Sequence, residues 1–322
     1  MSAEPITLEP IAKTNDDYAV VVAIHNATHP RFAVTENEYK RDDEHHHHSG
    51  HRRWLAKRGG RPVGYAGLGK MTWSDRPGKL YMEMVVPEGE ADDVREALYQ
   101  VVLDEARQAG ADTLAAFSEG DHPVDDAFKR SKGFVQTHQD EDSELEVGTV
   151  DWARWEPCIA AVEAQGLEVA TLAEYRLRCP EATERMYALY VETFQDVPSP
   201  EPLTPDTFEN YAKYVGRPDY PAHLVAVVLD GLTPVGMLTQ RLRELDATVV
   251  DVGLAGVLRA YRGRGVARAL KVKSLQLLRD AGVTLVRTGN NANNPMFRLN
   301  QAIGFKQMPP WMHLALDLGS AE

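Results

Sequence analysis

The chain has 322 residues, of which 43% are hydrophobic and 26% charged. This balance excludes a disordered or fibrous protein and predicts two folded domains of ordinary size. The formal net charge of −13 argues against nucleic acid or an anionic membrane as a partner. No apolar stretch approaches the roughly 20 residues of a membrane helix, and we expect no signal peptide. Only two cysteines are present, which predicts a reducing, cytoplasmic location.

The negative charge is concentrated in one half of the chain. Residues 1–150 contain 17 Lys and Arg against 28 Asp and Glu, whereas residues 151–322 contain 18 against 20. An acidic surface favours solubility, and it would also suit a cationic substrate.

In chain order, the hydrophobic patterns predict the same succession of strands and helices twice. The first set comprises a helix over 18–27, a strand over 80–86, a helix over 94–109 and a closing strand over 145–148. The second set comprises a strand over 166–172, helices over 180–194 and 205–215, strands over 224–229, 235–242 and 248–258, a helix over 265–281, a strand over 284–288, a helix over 295–303 and a closing strand over 313–318. This order predicts an α/β fold in which a mixed, mostly antiparallel sheet is flanked by helices.

The two sets are copies of one sequence pattern. Gly110 and Gly282 end similar helical segments and lie 172 residues apart, and a helix start, a Gly-Phe pair and a closing strand recur at 171 or 172 residues. Because the gaps between the matches also agree, we predict two domains of one fold. The first covers residues 1–150 and the second covers residues 151–322.

The loop after the long strand of the second copy points to an anion site. From the end of the strand it reads Val257, Leu258, Arg259, Ala260, Tyr261, Arg262, Gly263, Arg264, Gly265, Val266, Ala267. Glycines let the backbone turn tightly near a ligand, and a helix start offers free N–H groups and a positive dipole end. With the arginines, this loop suits a diphosphate. A Walker loop is absent, and Arg268 stands where the Rossmann pattern needs Gly or Ala.

The pattern Arg262-x-x-Gly265-x-Ala267 resembles the acyl-CoA diphosphate motif of the GCN5-related N-acetyltransferase (GNAT) family. A second block, Thr288 to Phe305, resembles another signature of that family. The resemblance covers residues 165–318 well and 1–148 more faintly. It is greatest to bacterial tandem acetyltransferases of the mycothiol-synthase-like type.

The resemblance implies acetyl-CoA as cosubstrate and a role for each matching residue. The backbone of Val257 and Leu258 would contact the pantetheine arm and the thioester, and the N–H of Val257 would polarise the thioester oxygen. The main-chain N–H groups of residues 262–267 would bind the diphosphate. Asn293 occupies the position that hydrogen-bonds the cofactor, and Asn290 would help to open the sheet around the acyl group.

The proton-transfer residues depart from the family pattern. Asn300 stands where the family usually has a Tyr that donates a proton to the leaving thiolate, and an amide has no useful pKa for this role. Asp196, in a Pro-rich loop, and Asp251, on the long strand, are the candidate general bases.

The first copy has lost the anion-binding pattern. At the same offset, Glu90, Ala91, Asp92 and Asp93 stand opposite the segment from Arg262 to Gly265. Acidic side chains would repel a diphosphate and crowd the backbone. We therefore expect the first domain not to bind CoA, and to act as a structural domain or as a wall of the acceptor pocket.

Histidines suggest only adventitious metal binding. The run His45–His48, with His51, lies in a polar segment and cannot converge on one ion from a regular element. His25 and His29 lie four residues apart on a predicted helix with no evident third ligand. The sequence therefore predicts no metal site.

Two functions fit this sequence. One is an acetyl-CoA-dependent N-acetyltransferase that moves an acetyl group to a primary amine of a small, for example cationic, molecule by direct attack in a ternary complex. The other is a non-catalytic acyl-CoA-binding or scaffold protein, which Asn300 and the altered first copy favour. The chain would be a monomer or a homodimer, and the sequence specifies neither the acceptor nor the acyl chain length.

Overall fold

The structure is a computed structural model that describes residues 4–45, 50–71, 73–74, 76–199 and 201–319. Its strands are β1 Ile6–Pro10, β2 Arg52–Arg58, β3 Arg61–Gly69, β4 Lys79–Val85, β5 Thr113–Glu119, β6 Val135–Glu146, β7 Glu168–Thr171, β8 Ala226–Asp230, β9 Thr233–Leu242, β10 Val249–Val257, β11 Leu285–Asn290, β12 Lys306–Gln307 and β13 Trp311–Asp317. Its helices are α1 Asn15–Thr28, α2 Glu36–His45, α3 Asp92–Gln108, α4 Pro123–Ser131, α5 Trp152–Trp155, α6 Pro157–Glu163, α7 Leu172–Arg178, α8 Ala182–Phe194, α9 Phe208–Val215, α10 Val266–Asp280 and α11 Pro295–Ile303. None of the helices in the described ranges combines the length and apolar character needed to cross a membrane.

Two compact units make up the chain. The first consists of Met1–Gln139 together with Pro309–Glu322, and the second consists of Asp140–Met308. The first unit contains α1 to α4 and the strand order β1-β2-β3-β4-β5-β13-β6, in which β4 and β5 pair in parallel. The second contains α5 to α11 and the order β6-β11-β10-β9-β8-β7, in which β10 and β11 pair in parallel. Each is a mixed, mostly antiparallel sheet flanked by helices, so the predicted fold class is confirmed.

The units differ from the predicted domains in their closing strands. Residues 141–146 of β6 pair with β11 in the second unit. They overlap the segment, residues 145–148, that was expected to close the first domain. β13, expected to close the second domain, pairs with β5 in the first unit, from Trp311 opposite Glu119 to Asp317 opposite Thr113. Each closing segment thus completes the sheet of the other unit. The division therefore falls at residues 139 and 308 rather than at residue 150.

Local sequence signals explain where the helices of the second unit begin and end. α10 follows Gly265 and is terminated near Gly282, and both glycines have the positive φ that favours this residue. α11 begins with Pro295 after the Asn294 side chain, which accepts a hydrogen bond from the Met296 N–H at 2.9 Å, and it ends before Gly304. These signals fix the two helices that flank the predicted site.

The face of α10 toward the sheet is apolar. Val266, Ala269 and Leu270 are buried against residues of β8 and β9, and Val272, Leu275 and Leu278 pack against residues of β10 and β11. Burial of each such side chain contributes roughly 1.5–3 kcal/mol. This packing fixes the start of α10 beside the end of β10.

Candidate functional site

The sheet of the second unit splits between β10 and β11. Their parallel pairing covers only Val249 to Asp251 on β10, opposite Leu285 to Arg287 on β11. β10 nevertheless continues to Val257 and stays paired with β9, after a bulge between Val252 and Ala255. The unpaired ends of β10 and β11 therefore leave a cleft in the middle of the sheet.

The main chain of Val257 faces this cleft. The N–H of Leu258 donates to the Val235 carbonyl on β9 at 2.9 Å. Successive residues of a strand direct their N–H and C=O groups to opposite sides, so Val257 directs its groups away from β9. Arg262 Nε donates to the Val257 carbonyl from that side at 3.0 Å. The N–H of Val257 is thus a hydrogen-bond donor at the edge of the cleft.

The loop after β10 has the conformation that its glycines permit. Gly263 has φ +76° and Gly265 has φ +87°, which other residues adopt only at a cost. No side chain of the described residues caps α10, and the first hydrogen bond of the helix runs from the Ala269 N–H to the Gly265 carbonyl at 3.1 Å. The amides of the first turn are therefore available to an anion, as is usual at helix N-termini.

A cavity of roughly 690 Å³ lies over this loop. Its wall combines the end of α8, the end of β10, the glycine loop with the first turn of α10, and α11. Arg262, Arg268 and Arg298 are among its lining residues, and an added Cβ at Gly263 would meet no atom within 4 Å. Open space, first-turn amides and arginines together can hold a diphosphate, so the residues present fit a coenzyme A ligand.

Gln165 fixes the loop from the segment between α6 and β7. Its Nε2 donates to the Arg264 carbonyl at 3.0 Å, and its Oε1 accepts from Arg264 Nε at 3.1 Å. The Arg264 guanidinium also lies over the Tyr261 ring, 5.0 Å from its centroid. Nothing in the sequence around Gln165 indicates this role, because its partner Arg264 lies 99 positions away.

Asp196, one of the two predicted bases, lines the cavity and is paired with two arginines. Arg259 Nε donates to its carboxylate at 3.2 Å, and the terminal nitrogens of Arg259 and Arg262 also contact it. The hydrogen bonds from Arg259 and then Arg262 lower the pKa of Asp196 to about 2. A carboxylate of such low pKa is a weak base, so this geometry disfavours the predicted role of Asp196 as general base.

Asp251, the other predicted base, lies outside the cavity wall. Arg243 donates to both of its carboxylate oxygens, at 2.8 Å and 2.9 Å, and Asp251 is not among the lining residues. Asp251 lies on the part of β10 that is still paired with β11. The structure therefore does not bring it together with Val257 and the glycine loop.

The asparagines of the second block hold the loop before α11. The buried Asn300 donates through Nδ2 to Asn290 Oδ1 at 2.7 Å, and its own Oδ1 has no hydrogen-bond partner among the described residues. The Asn293 N–H donates to Asn291 Oδ1 at 3.0 Å. Of this group, the cavity is lined by Asn294 and not by the predicted Asn290 or Asn293.

The equivalent loop of the first unit closes on itself around an arginine. Arg95, on α3, is 1% exposed and its guanidinium donates to the carbonyls of Val86, Pro87 and Glu90 at 3.2, 3.2 and 3.1 Å. Carbonyl groups that converge on an internal cation leave no place for an anion.

The family model for the acetyltransferase (GNAT) family matches residues 183–305. This segment runs from α8 to the end of α11 and contains the cleft, the glycine loop and the cavity. The resemblance to the GNAT superfamily predicted from the sequence is therefore confirmed.

Solved structures resemble the fold of the whole chain. A tandem GNAT protein from the clavulanic acid biosynthesis pathway is 16% identical, with 99% of this chain and 100% of that chain covered and a TM-score of 0.74. A GCN5-related N-acetyltransferase from Sphaerobacter thermophilus is 17% identical, with 98% and 97% covered and a TM-score of 0.68. Both units are thus GNAT-like in fold, and the mycothiol-synthase-like detail stays a prediction.

A third structure contains the fold within a larger protein. It is described as a GCN5-related glucosamine N-acetyltransferase region in a fungal multi-domain GH3 beta-N-acetylglucosaminidase. It is 14% identical to this chain, with 98% of this chain covered and a TM-score of 0.72. The match spans only 38% of the fungal protein. Among curated proteins, none has a matching sequence.

Proposed function

We propose that the second unit transfers an acetyl group from acetyl-CoA to a primary amine of a small molecule. The observation that supports this most directly is the glycine loop, which turns uncapped first-turn amides of α10 toward a cavity lined with arginines. The split between β10 and β11 supplies space beside it for a thioester arm. Bound acetyl-CoA supplies the acyl group in an activated, thioester form.

In this proposal the chain acts mainly by positioning and by a backbone donor. The Arg262 N–H already donates to the Arg259 carbonyl at 3.3 Å, so the amides of residues 263–267 and the arginines around them would bind the diphosphate, and Val257 and Leu258 would lie along the pantetheine arm. The N–H of Val257 points to the place where a carbonyl oxygen would gain negative charge, so it stabilises that charge during direct attack by the amine. Holding both reactants in one cleft reduces the entropic part of the barrier.

The proton of the amine leaves without a dedicated carboxylate base in this proposal. Asp196 is engaged by Arg259 and Arg262, and Asp251 is engaged by Arg243. The acceptor must therefore enter as the neutral amine, or release its proton to water in the cleft. We assign Asp196 a positioning role, because it holds the arginine that contacts the Val257 carbonyl.

Asp196→Asn tests this assignment through the split between KM and kcat. The variant retains the shape of the side chain and removes the charge that competes with a diphosphate for Arg262. We expect KM for acetyl-CoA to change by about two- to fivefold with kcat nearly unchanged and no shift in the pH–rate profile. A kcat loss of 100-fold or more with loss of the acidic limb of the pH–rate profile would instead identify Asp196 as the base.

The acceptor is proposed to be a small, cationic compound such as an amino sugar. The first 150 residues have 28 acidic against 17 basic side chains, and such an excess attracts cations at long range. A panel of small amines with acetyl-CoA, followed by release of free thiol, checks the reaction directly. Falling KM at low ionic strength is expected for cationic acceptors and not for neutral ones.

The alternative is an acyl-CoA-binding protein without catalysis. It is favoured by one observation: Asp196 is the only carboxylate among the lining residues of the described cavity, and it is already paired. Calorimetric titration with CoA and acetyl-CoA separates the two functions. Binding of both ligands with no thiol release for any amine would support the alternative, whereas absence of binding would contradict both.

A further inference from the structure

Three potential metal ligands converge in the first unit. The proposed acetyltransferase site lies in the second unit. His29, Glu119 and His122 each offer one ligand atom, and these atoms lie within 4.8 Å of one another. His29 is the C-cap of α1, Glu119 is the last residue of β5, and His122 is the N-cap of α4. The sequence analysis found no third ligand for His29, because both of its partners are about 90 residues away in the chain.

The local backbone places Glu119 and His122 side by side. The His122 N–H donates to the Glu119 carbonyl at 3.0 Å, which closes a turn of four residues. The N–H of Gly120, within this turn, donates to the Pro310 carbonyl at 2.9 Å. The turn is therefore anchored at its middle, and its two ligand side chains are held on a fixed framework.

The contact between His29 and Glu119 is close but is not a hydrogen bond. His29 Nδ1 lies 2.7 Å from Glu119 Oε1, yet this buried nitrogen has no hydrogen-bond partner among the described residues. The distance between the two atoms would allow a hydrogen bond, but the orientation of the ring does not. The His29 Nδ1 atom therefore does not point at the Glu119 Oε1 atom. A third atom that accepts electron pairs from both groups would satisfy this arrangement.

The burial of the carboxylate and the placement of the two imidazole rings also favour a bound metal ion here. The Glu119 side chain is 4% exposed and that of His29 is 16% exposed, and the His29 and His122 ring centroids are 4.7 Å apart. Arg31 lies 3.7 Å from the second oxygen of Glu119 and 3.9 Å from Asp121 Oδ2. The other carboxylate oxygen, Oε1, faces His29.

We propose that His29, Glu119 and His122 bind a divalent transition metal ion, with Zn²⁺ as the expected occupant. Two imidazoles and one carboxylate are a known zinc ligand set that leaves a position open to water. Ligand atoms of a tetrahedral zinc site are about 3.3 Å apart, so side-chain rotations within the observed 4.8 Å suffice. The ion would tie the ends of α1 and β5 to the start of α4.

The test must first remove the histidine run, because His45–His48 would bind metal ions by itself. The full chain with these four residues replaced by Ser is freed of metal with a chelator and titrated with Co²⁺. We expect one equivalent to bind with the intense visible absorption of a four-coordinate site, Zn²⁺ to abolish that absorption, and the thermal midpoint of the first unit to rise with metal.

Variants in the same background assign the ligands. His122→Ala removes a partly exposed ligand and should weaken Co²⁺ binding at least tenfold, with the thermal midpoint in chelator unchanged. Glu119→Gln keeps the shape and should also weaken binding tenfold or more. The matched control His138→Ala, in the same unit, should bind as the parent does. Absence of stoichiometric Co²⁺ binding by the parent, or equal affinity in the parent and His122→Ala, would overturn the proposal.

Discussion

The turns after β4 and after β10 occupy equivalent positions in the two units and have opposite polarity. After β10, positive-φ glycines turn the first-turn amides of α10 outward. After β4, three carbonyls turn inward to the guanidinium of Arg95. At the offset of 172 residues, Arg95 stands opposite Ala267. The difference teaches that one position in this fold can either present helix-start amides outward or turn its carbonyls inward around a buried cation.

Gly265→Glu should abolish most CoA binding and is the strongest way to break this comparison. The substitution forces a side chain into φ +87° and puts a negative charge at the start of α10, where the dipole and the arginines favour anions. We expect at least 100-fold weaker binding, about 3 kcal/mol, by calorimetry. Asp92→Arg, in the first unit, is the matched control and should alter CoA affinity by less than twofold. A large effect of that control would contradict the assignment of binding to the second unit.

Arg95→Ala should destabilise the first unit and leave CoA binding unchanged. The change leaves the Val86 and Pro87 carbonyls without their buried donor, which costs roughly 2–3 kcal/mol. Urea unfolding followed by hydrogen exchange within α3 measures this loss. As a control, Arg52→Ala removes an exposed ion pair with Glu105 and should cost less than about 1 kcal/mol. Equal stability of the Arg95→Ala variant and the parent would mean that the buried guanidinium does not hold the turn.

Lys271→Met should stabilise the second unit. Lys271 aligns with the buried Tyr99 of the first unit, and its amine lies 5.3 Å from the Phe305 ring centroid. Burial lowers the pKa of Lys271 to about 7, so a charged amine in the core is unfavourable. We expect a gain on the order of 1–3 kcal/mol at pH 7. Lys273→Met, on the same helix and less buried, should be within about 0.5 kcal/mol of the parent.

The pH dependence of this gain follows from proton binding. Between about pH 7 and the ordinary lysine pKa near 10.4, the unfolded chain holds a proton on Lys271 that the folded chain lacks. Stability contributed by this residue therefore rises with pH through that window. The advantage of Lys271→Met should be largest at or below pH 7 and should shrink by pH 10. If the gain in stability did not depend on pH, protonation of Lys271 would not be what destabilises the folded chain.

Gln165→Ala should have the smallest effect, about a threefold loss of CoA affinity or roughly 0.6 kcal/mol. Gln165 touches the glycine loop only through Arg264, so its removal loosens the loop without removing a predicted ligand contact. Titration calorimetry against Gln276→Ala, a partly exposed glutamine further along α10, measures the difference. Equal affinities of these two variants would show that the loop is rigid without Gln165.

Most of the elements around the cleft could be predicted because local signals mark them. Pro295 and Gly304 bracket α11, and Gly265 and Gly282 bracket α10, so the predicted and observed ends agree within a residue or two. The loop from Arg262 to Gly265 could be recognised as a candidate anion site for the same reason, since its glycines and arginines are contiguous in the chain.

Contacts between distant residues could not be predicted. Asp196 was expected as a base, but its partners Arg259 and Arg262 come from the loop more than 60 positions later. Gln165, Arg95 and the convergence of His29 with Glu119 depend on packing in the same way. The exchange of β13 and the end of β6 has no local signal either, because the sequence of a strand does not by itself specify the strand that pairs with it.

The position of β13 in the first unit has a consequence for biosynthesis. Residues 113–119 of β5 meet their antiparallel neighbour only in residues 311–317, so translation must pass almost two hundred further codons before that edge is covered. During this interval the nascent polypeptide presents an unprotected strand edge of the kind that promotes aggregation. Residues 113–119 thus depend on a segment made much later in synthesis, and a ribosome that stalls before residue 311 would hold a chain with this edge uncovered.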